Sequence, residues 1–119
     1  MSFQQTIFLV DRDPAANELL ARNFEAHEFM VYTATTAEEL LQMVRTKRAD
    51  LIILGVDLPD MDGRDACRLL RKRGLLTPIL IVSDQGSDSD TILGLDSGGN
   101  DYIVKPIRYI WLWFMRNPM

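Results

Sequence analysis

The chain of 119 residues is 47% hydrophobic and 25% charged, with a formal net charge of −4, which fits a folded domain and excludes a disordered tail. At this length a single core suffices, and folding buries roughly two thirds of the surface that the unfolded chain exposes. The acidic balance excludes the clustered basic face of a nucleic-acid binder. A lone cysteine, Cys67, excludes an internal disulfide and a cysteine metal cluster. The apolar runs fall far short of the ~20 residues that cross a bilayer, and no secretory signal precedes the first of them, so no membrane contact and a cytoplasmic location are expected.

Residues 7–10 (Ile-Phe-Leu-Val) form a continuous apolar run, as expected of a strand buried on both faces. It stops at Asp11. Asp13 and Pro14 then supply an N-cap acid and a first-turn proline, and Ala16, Leu19, Leu20 and Phe24 repeat on one helical face. Residues 30–34 read as a second strand. Thr36 with Glu39 three positions on is a capping-box pattern, opening a helix with Leu40, Leu41 and Val44 on one side. Residues 51–54 read as the third strand. The acidic loop from Asp57 to Gly63 leads into a helix through Cys67, Leu69 and Leu70 that ends at Gly74, the position glycine favours after a helix. Residues 79–82 are the fourth strand. Ser87 and Asp90 can cap a helix carrying Ile92, Leu93 and Leu95 before the break at Gly98 and Gly99, residues 102–104 are the fifth strand, and a last helix is expected from about Arg108.

Strands alternating with helices imply βαβ units, and hence an α/β fold with one parallel sheet covered on both faces. Sheets of this kind carry their functional groups beyond the carboxyl ends of the strands. Asp11, Gly55, Ser83 and Lys105 each follow a strand directly, so an acid, a hydroxyl and an amine are expected to converge on one site.

These residues also carry a resemblance. Through Leu9-Val10-Asp11, Leu58-Pro59-Asp60-Met61-Asp62-Gly63, Ile81-Val82-Ser83 and Asp101-Tyr102-Ile103-Val104-Lys105-Pro106, the chain resembles the receiver domain of two-component response regulators along nearly its full length. The segment from Gly94 to Tyr102 is most similar to the transcription-factor branch. The resemblance implies a flavodoxin-like (βα)5 doubly wound parallel sheet of strand order 2-1-3-4-5. Residues 1–119 are then expected to form a single receiver-like domain, with no DNA-binding effector domain in this chain.

In the family an aspartate after the third strand accepts a phosphoryl group, while Mg2+ is held by that aspartate and by an acidic pair after the first strand. Carboxylates supply the nucleophile and hard oxygen ligands, and the cation offsets the charge in transfer. This sequence departs from that pattern twice. Gly55 stands at the acceptor position and Arg12 replaces the second acid of the pair, leaving Asp11 as the one metal-facing acid retained. At most weak Mg2+ binding is expected, and no other cofactor. Arg12 carries a permanent positive charge and could stand in for the cation by pairing with Asp11 or Asp57. Asp57 is the one candidate substitute acceptor, although a shift of two residues moves a carboxylate by several Å, more than in-line attack tolerates.

Other positions are placed by the same resemblance. Ser83 matches the hydroxyl that bonds the phosphoryl group and Lys105 the lysine that contacts it, although Lys105 could instead pair with Asp11 and Ser83 could satisfy loop amides. Lys105-Pro106 is where the family places a cis peptide. Tyr102 matches the aromatic that reorients on activation, or is a half-buried strand tyrosine. Asp84 either obstructs donor entry or is an ordinary loop acid. His27 reads as a surface residue and Cys67 as core. The basic run Arg68, Arg71, Lys72 and Arg73 reads as a solvated helix end favoured by the dipole.

Residues 109–115 are almost continuously apolar, unlike a surface helix, so part of this run must find cover. A symmetric dimer through the fourth helix, fifth strand and fifth helix would bury Trp111 or Trp113, with Asp96 or Asp101 opposite Arg108 or Arg116.

The leading expectation is a non-enzymatic receiver that regulates by binding proteins without phosphorylation, its partner a histidine kinase, an effector domain or another regulator, with no direct binding of nucleic acid. The alternatives are a phosphoryl acceptor using Asp57 and the regulatory domain of a transcription factor whose effector domain is missing. A flavin binder fits poorly, because the loop from Asp11 to Pro14 lacks the glycine or hydroxyl donors that cradle a flavin phosphate.

Overall fold

The computed structural model describes residues 4–84 and 95–105. The described elements are β1 (Thr6–Val10), α1 (Pro14–Ala26), β2 (Met30–Ala34), α2 (Ala37–Thr46), β3 (Leu51–Gly55), α3 (Gly63–Lys72), β4 (Ile79–Ser83) and β5 (Asp101–Val104). All strand pairings are parallel and the order is β2-β1-β3-β4-β5. The chain steps outward from β1 to β2 and then returns past β1 to β3, so the loops after β1 and β3 diverge at the carboxyl edge and leave a crevice between them.

Strands β3 and β4 are buried along their whole length, which is why they read as unbroken apolar runs. Alternate side chains feed two cores. One holds Phe8, Val10, Ile52, Leu54, Ile79 and Ile81 with Leu40, Cys67 and Leu70 from α2 and α3. The other holds Ile7, Leu9, Ile53, Leu80 and Val82 with Leu20, Ala21 and Phe24 from α1.

The helix starts follow local chemistry. Asp13 caps α1 by accepting from the Ala15 amide, with Pro14 in the first turn. Thr36 caps α2 by accepting from the Glu39 amide. The return half of the expected capping box lands elsewhere, since Glu39 accepts from the amide and hydroxyl of Thr35 and from the Thr36 hydroxyl. Gly74 adopts φ 89° after α3, a left-handed turn suited to glycine.

Several expectations are corrected. Leu19 is 56% exposed, and the buried face of α1 is Asn17, Leu20, Ala21 and Phe24. Leu95 is likewise exposed. Gly55 and Ser83 are the last residues of their strands, where the sequence reading placed them just beyond. Arg71 is no solvated helix end. Its guanidinium donates to the carbonyls of Leu75, Thr77 and Gly98 and to Asn100 Oδ1, all at 2.8–3.0 Å, fastening α3 to the turn ahead of β5. Gly98 lies against this arm with φ 105°, and a Cβ there would come within 2.6 Å of Arg71 Cγ. The expected fourth helix through Ser87, Asp90, Ile92 and Leu93, the last helix, and Pro106 lie outside the described residues.

Candidate functional site

The crevice at the carboxyl edge is an open cleft of about 730 Å³, lined by Asp11, Arg12 and Asp13 after β1, Gly55 to Leu58 with Asp62 and Arg64 around β3, Val82 to Asp84 after β4, and Lys105 after β5. Four strand ends therefore deliver the residues that sequence reasoning singled out to one place.

Asp11 sits at its floor. Its Oδ2 accepts from Lys105 Nζ at 2.7 Å, and its Oδ1 accepts from the Asp13 amide at 2.9 Å. Both carboxylate oxygens thus already hold a donor. Burial alone would depress the Lys105 ammonium, but the hydrogen bond and charge of Asp11, with the charges of Asp84 and Asp13, outweigh it and hold the pKa above its ordinary value. At the rim, Arg12 Nη1 lies 3.0 Å from Asp57 Oδ2, bridging the loops after β1 and β3. Both side chains are mostly exposed, so the pair contributes little stability by itself.

Gly55 is buried between these pairs. A Cβ at this position would lie 3.1 Å from the Val10 carbonyl oxygen and 3.7 Å from Asp11 Oδ2. Its backbone is not among those with positive φ, so nothing in its conformation demands glycine. Gly63 differs, because a Cβ there would collide with the carbonyl of Gly55. The start of α3 can lie against the end of β3 only because residue 63 has no side chain, and the Gly63 amide donates to the Val56 carbonyl at 2.8 Å.

Ser83 is buried at the end of β4, where its carbonyl accepts from the Lys105 amide at 2.8 Å. Tyr102 packs into the core on the α2 and α3 side. Asp84 is exposed at the cleft wall. Asp96 is exposed, and Asp101 Oδ1 accepts from the Tyr102 amide. His27 is exposed, with its Nδ1 2.9 Å from the Asn23 carbonyl. Cys67 is fully buried, and burial pushes its thiol pKa up against the pull of Arg71, Ser97 and Arg68. Arg108, Trp111, Trp113 and Arg116 lie outside the described residues. Among the described residues no three His, Cys, Asp or Glu side chains gather closely enough to hold a metal ion, and no helix is long and apolar enough to cross a membrane.

Three residues escaped the sequence reading. Asn17, buried inside α1, donates from Nδ2 to the carbonyls of Asp11 and Ala34 at 3.1 and 3.0 Å, holding the start of the Asp11 loop against the end of β2. Asp60, in the loop after β3, accepts from the amides of Ala37 and Glu38 at 2.9 and 3.0 Å. Those two bonds hold its carboxyl below the usual range. Arg64 grips Asp62 through Nε and Nη2, and that grip likewise lowers the Asp62 pKa. A polar residue in the buried stripe of α1 was the available signal for Asn17. The other two contacts join residues whose spacing carries no pattern.

A five-stranded parallel sheet of this order, with an acid, a hydroxyl and a lysine converging at its carboxyl edge, defines a receiver-type α/β domain. The family profile described as response regulator receiver domain matches residues 7–112, and the chain belongs to that family. It is 39% identical over 100 residues to the alkaline phosphatase synthesis transcriptional regulatory protein PhoP of Bacillus subtilis, covering 84% of this chain and 42% of that protein. It is 36% identical over 103 residues to the transcriptional regulatory protein AfsQ1 of Streptomyces coelicolor, covering 87% of this chain and 45% of that one. The chain thus spans under half the length of these relatives. Among solved structures, a two-component response regulator from Clostridium difficile superimposes with a TM-score of 0.88 at 27% identity, over 95% of this chain and 93% of that one.

Proposed function

We propose that this receiver domain is a regulatory interaction module in two-component signalling that works without being phosphorylated. The observation that carries the reading is Gly55: the end of β3 presents no side chain to the cleft, beside an Asp11 whose two oxygens are already engaged. The remaining donor set does not fit Mg2+ as the family's set would. Lys105 and the Asp13 amide occupy Asp11, and the Arg12 guanidinium brings a fixed positive charge to the side where a second acid would stand. Arg12 takes over part of the cation's task by tying the loops after β1 and β3 together through Asp57.

With no phosphoryl group to pull on Ser83, a change of state at Ser83 and Tyr102 has to be driven by a partner that prefers one conformation. The partners are proteins: a histidine kinase, an effector domain or another regulator. The face of the fourth helix, β5 and fifth helix would carry a homodimer, with Asp96 and Asp101 on its near side. The domain acts by binding and is not an enzyme.

Intact mass spectrometry after incubation with acetyl phosphate and Mg2+ tests this reading. No phosphoryl adduct is expected on the unaltered chain. An adduct that disappears in Asp57→Asn would replace it with the reading in which Asp57 is the acceptor.

A further inference from the structure

The lysines and arginines of the described residues sort by what holds them. Arg12, Arg22, Arg64, Arg68 and Lys105 each pair with a carboxylate, and Arg71 is taken up by carbonyls and Asn100. The remainder, Arg45, Lys47, Arg48, Lys72 and Arg73, are exposed and have no carboxylate partner among the described residues. A shortage of acids is not the cause, since the chain carries 17 Asp and Glu against 13 Lys and Arg. The topology gathers these cations in one place. Helices α2 and α3 run back along the sheet to begin β3 and β4, which are neighbours, and both cover the core that holds Leu40 and Leu70. The two helices touch, so their last turns lie side by side, about 8–10 Å apart as packed helices do, at the amino edge of the sheet and opposite the cleft. The helix dipoles favour a cation in each last turn, which accounts for Arg45 and Lys72. Arg48 lies beyond the end of α2, and nearby Asp50 turns its Oδ2 to the Thr6 amide at 2.8 Å. Lys47 is drawn aside over the Tyr32 ring at 5.2 Å, so the patch proper is Arg45, Arg48, Lys72 and Arg73. Leu76, three residues past Arg73 in the turn after α3, is 89% exposed.

We propose that this basic pole binds an acidic segment of a partner protein, whose carboxylates meet Arg45, Arg48, Lys72 and Arg73 and whose apolar side chain covers Leu76. Charge complementarity selects the sign of the partner and steers its approach. Leu76 selects its class. A phosphate backbone offers nothing apolar to an exposed leucine, and an extended polyanion would also meet the acidic remainder of a chain of net charge −4. One leucine is too little apolar surface to hold a bilayer. A short acidic segment with an apolar residue satisfies both features and ends before it reaches the acidic cleft edge. The surface lies at the other end of the sheet from Gly55, so it works whether or not the cleft accepts a phosphoryl group.

The test is a titration of the full chain with a peptide of glutamates around a central leucine, followed through the backbone amide signals in NMR. Shifts should gather at residues 45–48 and 72–76, and the affinity should fall as salt is raised. Arg48→Glu with Arg73→Glu should weaken binding roughly tenfold or more, because attraction becomes repulsion at two points, and Leu76→Ser should weaken it severalfold without changing the salt dependence. Arg22→Glu makes the same kind of charge change on α1, on the opposite face of the sheet, and should leave the affinity within about twofold. All of these side chains are exposed, and circular dichroism checks that each variant is folded. No shifts at millimolar peptide would overturn the proposal, as would shifts confined to another face or an affinity indifferent to the paired reversal. Tighter binding to duplex DNA or to phosphatidylserine vesicles than to the peptide would overturn it too, and would assign the pole to a phosphate-bearing partner.

Discussion

At the scale of single residues, the cleft contains two glycines with opposite meanings. Gly63 is a steric necessity, since only a residue without Cβ lets the start of α3 approach the Gly55 carbonyl. Gly55 has no such necessity, because its φ is not positive and its surroundings leave ordinary contact distance for a side chain on all but the Val10 side, and on the proposed reading it marks a missing acceptor. The charged residues also set how stability responds to pH. Asp60 and Asp62 have folded pKa values below their ordinary 3.8, held there by the α2 amides and by Arg64, so their contribution is complete above that value and lost as pH falls through the lower folded values. Lys105 is raised above its ordinary 10.5, so its contribution is complete below that value and is lost as pH rises through the folded value. Urea stability should therefore be level across neutral pH with respect to these groups and decline at both extremes. Asp60→Asn should flatten part of the acid limb, and an unchanged limb would remove Asp60 from this role.

At the scale of elements, the strands were legible because burial on both faces leaves an unmistakable apolar run, and the helix starts were legible because a cap is decided by neighbours within three residues. Asp13, Thr36 and Gly74 all stood where local chemistry placed them. The face of α1 was misread at Leu19, because periodicity favours a leucine over an asparagine for burial. Asn17 wins the position by satisfying two carbonyls at the edge of the sheet. Two long-range contacts outside the cleft left no trace in the sequence. Arg71 reaches Asn100 across 29 positions and Asp60 reaches Ala37 across 23, and in each case the partner is defined by the fold alone. Arg71→Ala should cost roughly 2–3 kcal/mol in urea unfolding, since it strands three half-buried carbonyls at once. A loss no larger than that of a solvated arginine would return Arg71 to the surface role its sequence context suggests.

For the whole molecule, the order β2-β1-β3-β4-β5 brings Asp11, Gly55, Ser83 and Lys105 to one edge. The cleft was legible in the sequence because each of these four residues stands at the end of an apolar run. Its internal pairing was not fully decided there: Lys105 with Asp11 was one of two readings, and Arg12 had two acids within reach. The structure places Lys105 on Asp11 and Arg12 on Asp57, each loop held by a protein cation. On the reading proposed above, the scaffold of a receiver is retained around a site that lacks the acceptor carboxylate and one metal-facing acid. On that reading, restoring both acids should restore the chemistry, since both positions already line the cleft beside Asp11 and Lys105.

The most direct measurement is Mg2+-dependent labelling by acetyl phosphate, read as intact mass, on the unaltered chain beside a Gly55→Asp, Arg12→Asp double variant. The account predicts one phosphoryl adduct on the double variant and none on the unaltered chain. An adduct on the unaltered chain, or none on a folded double variant, would contradict it.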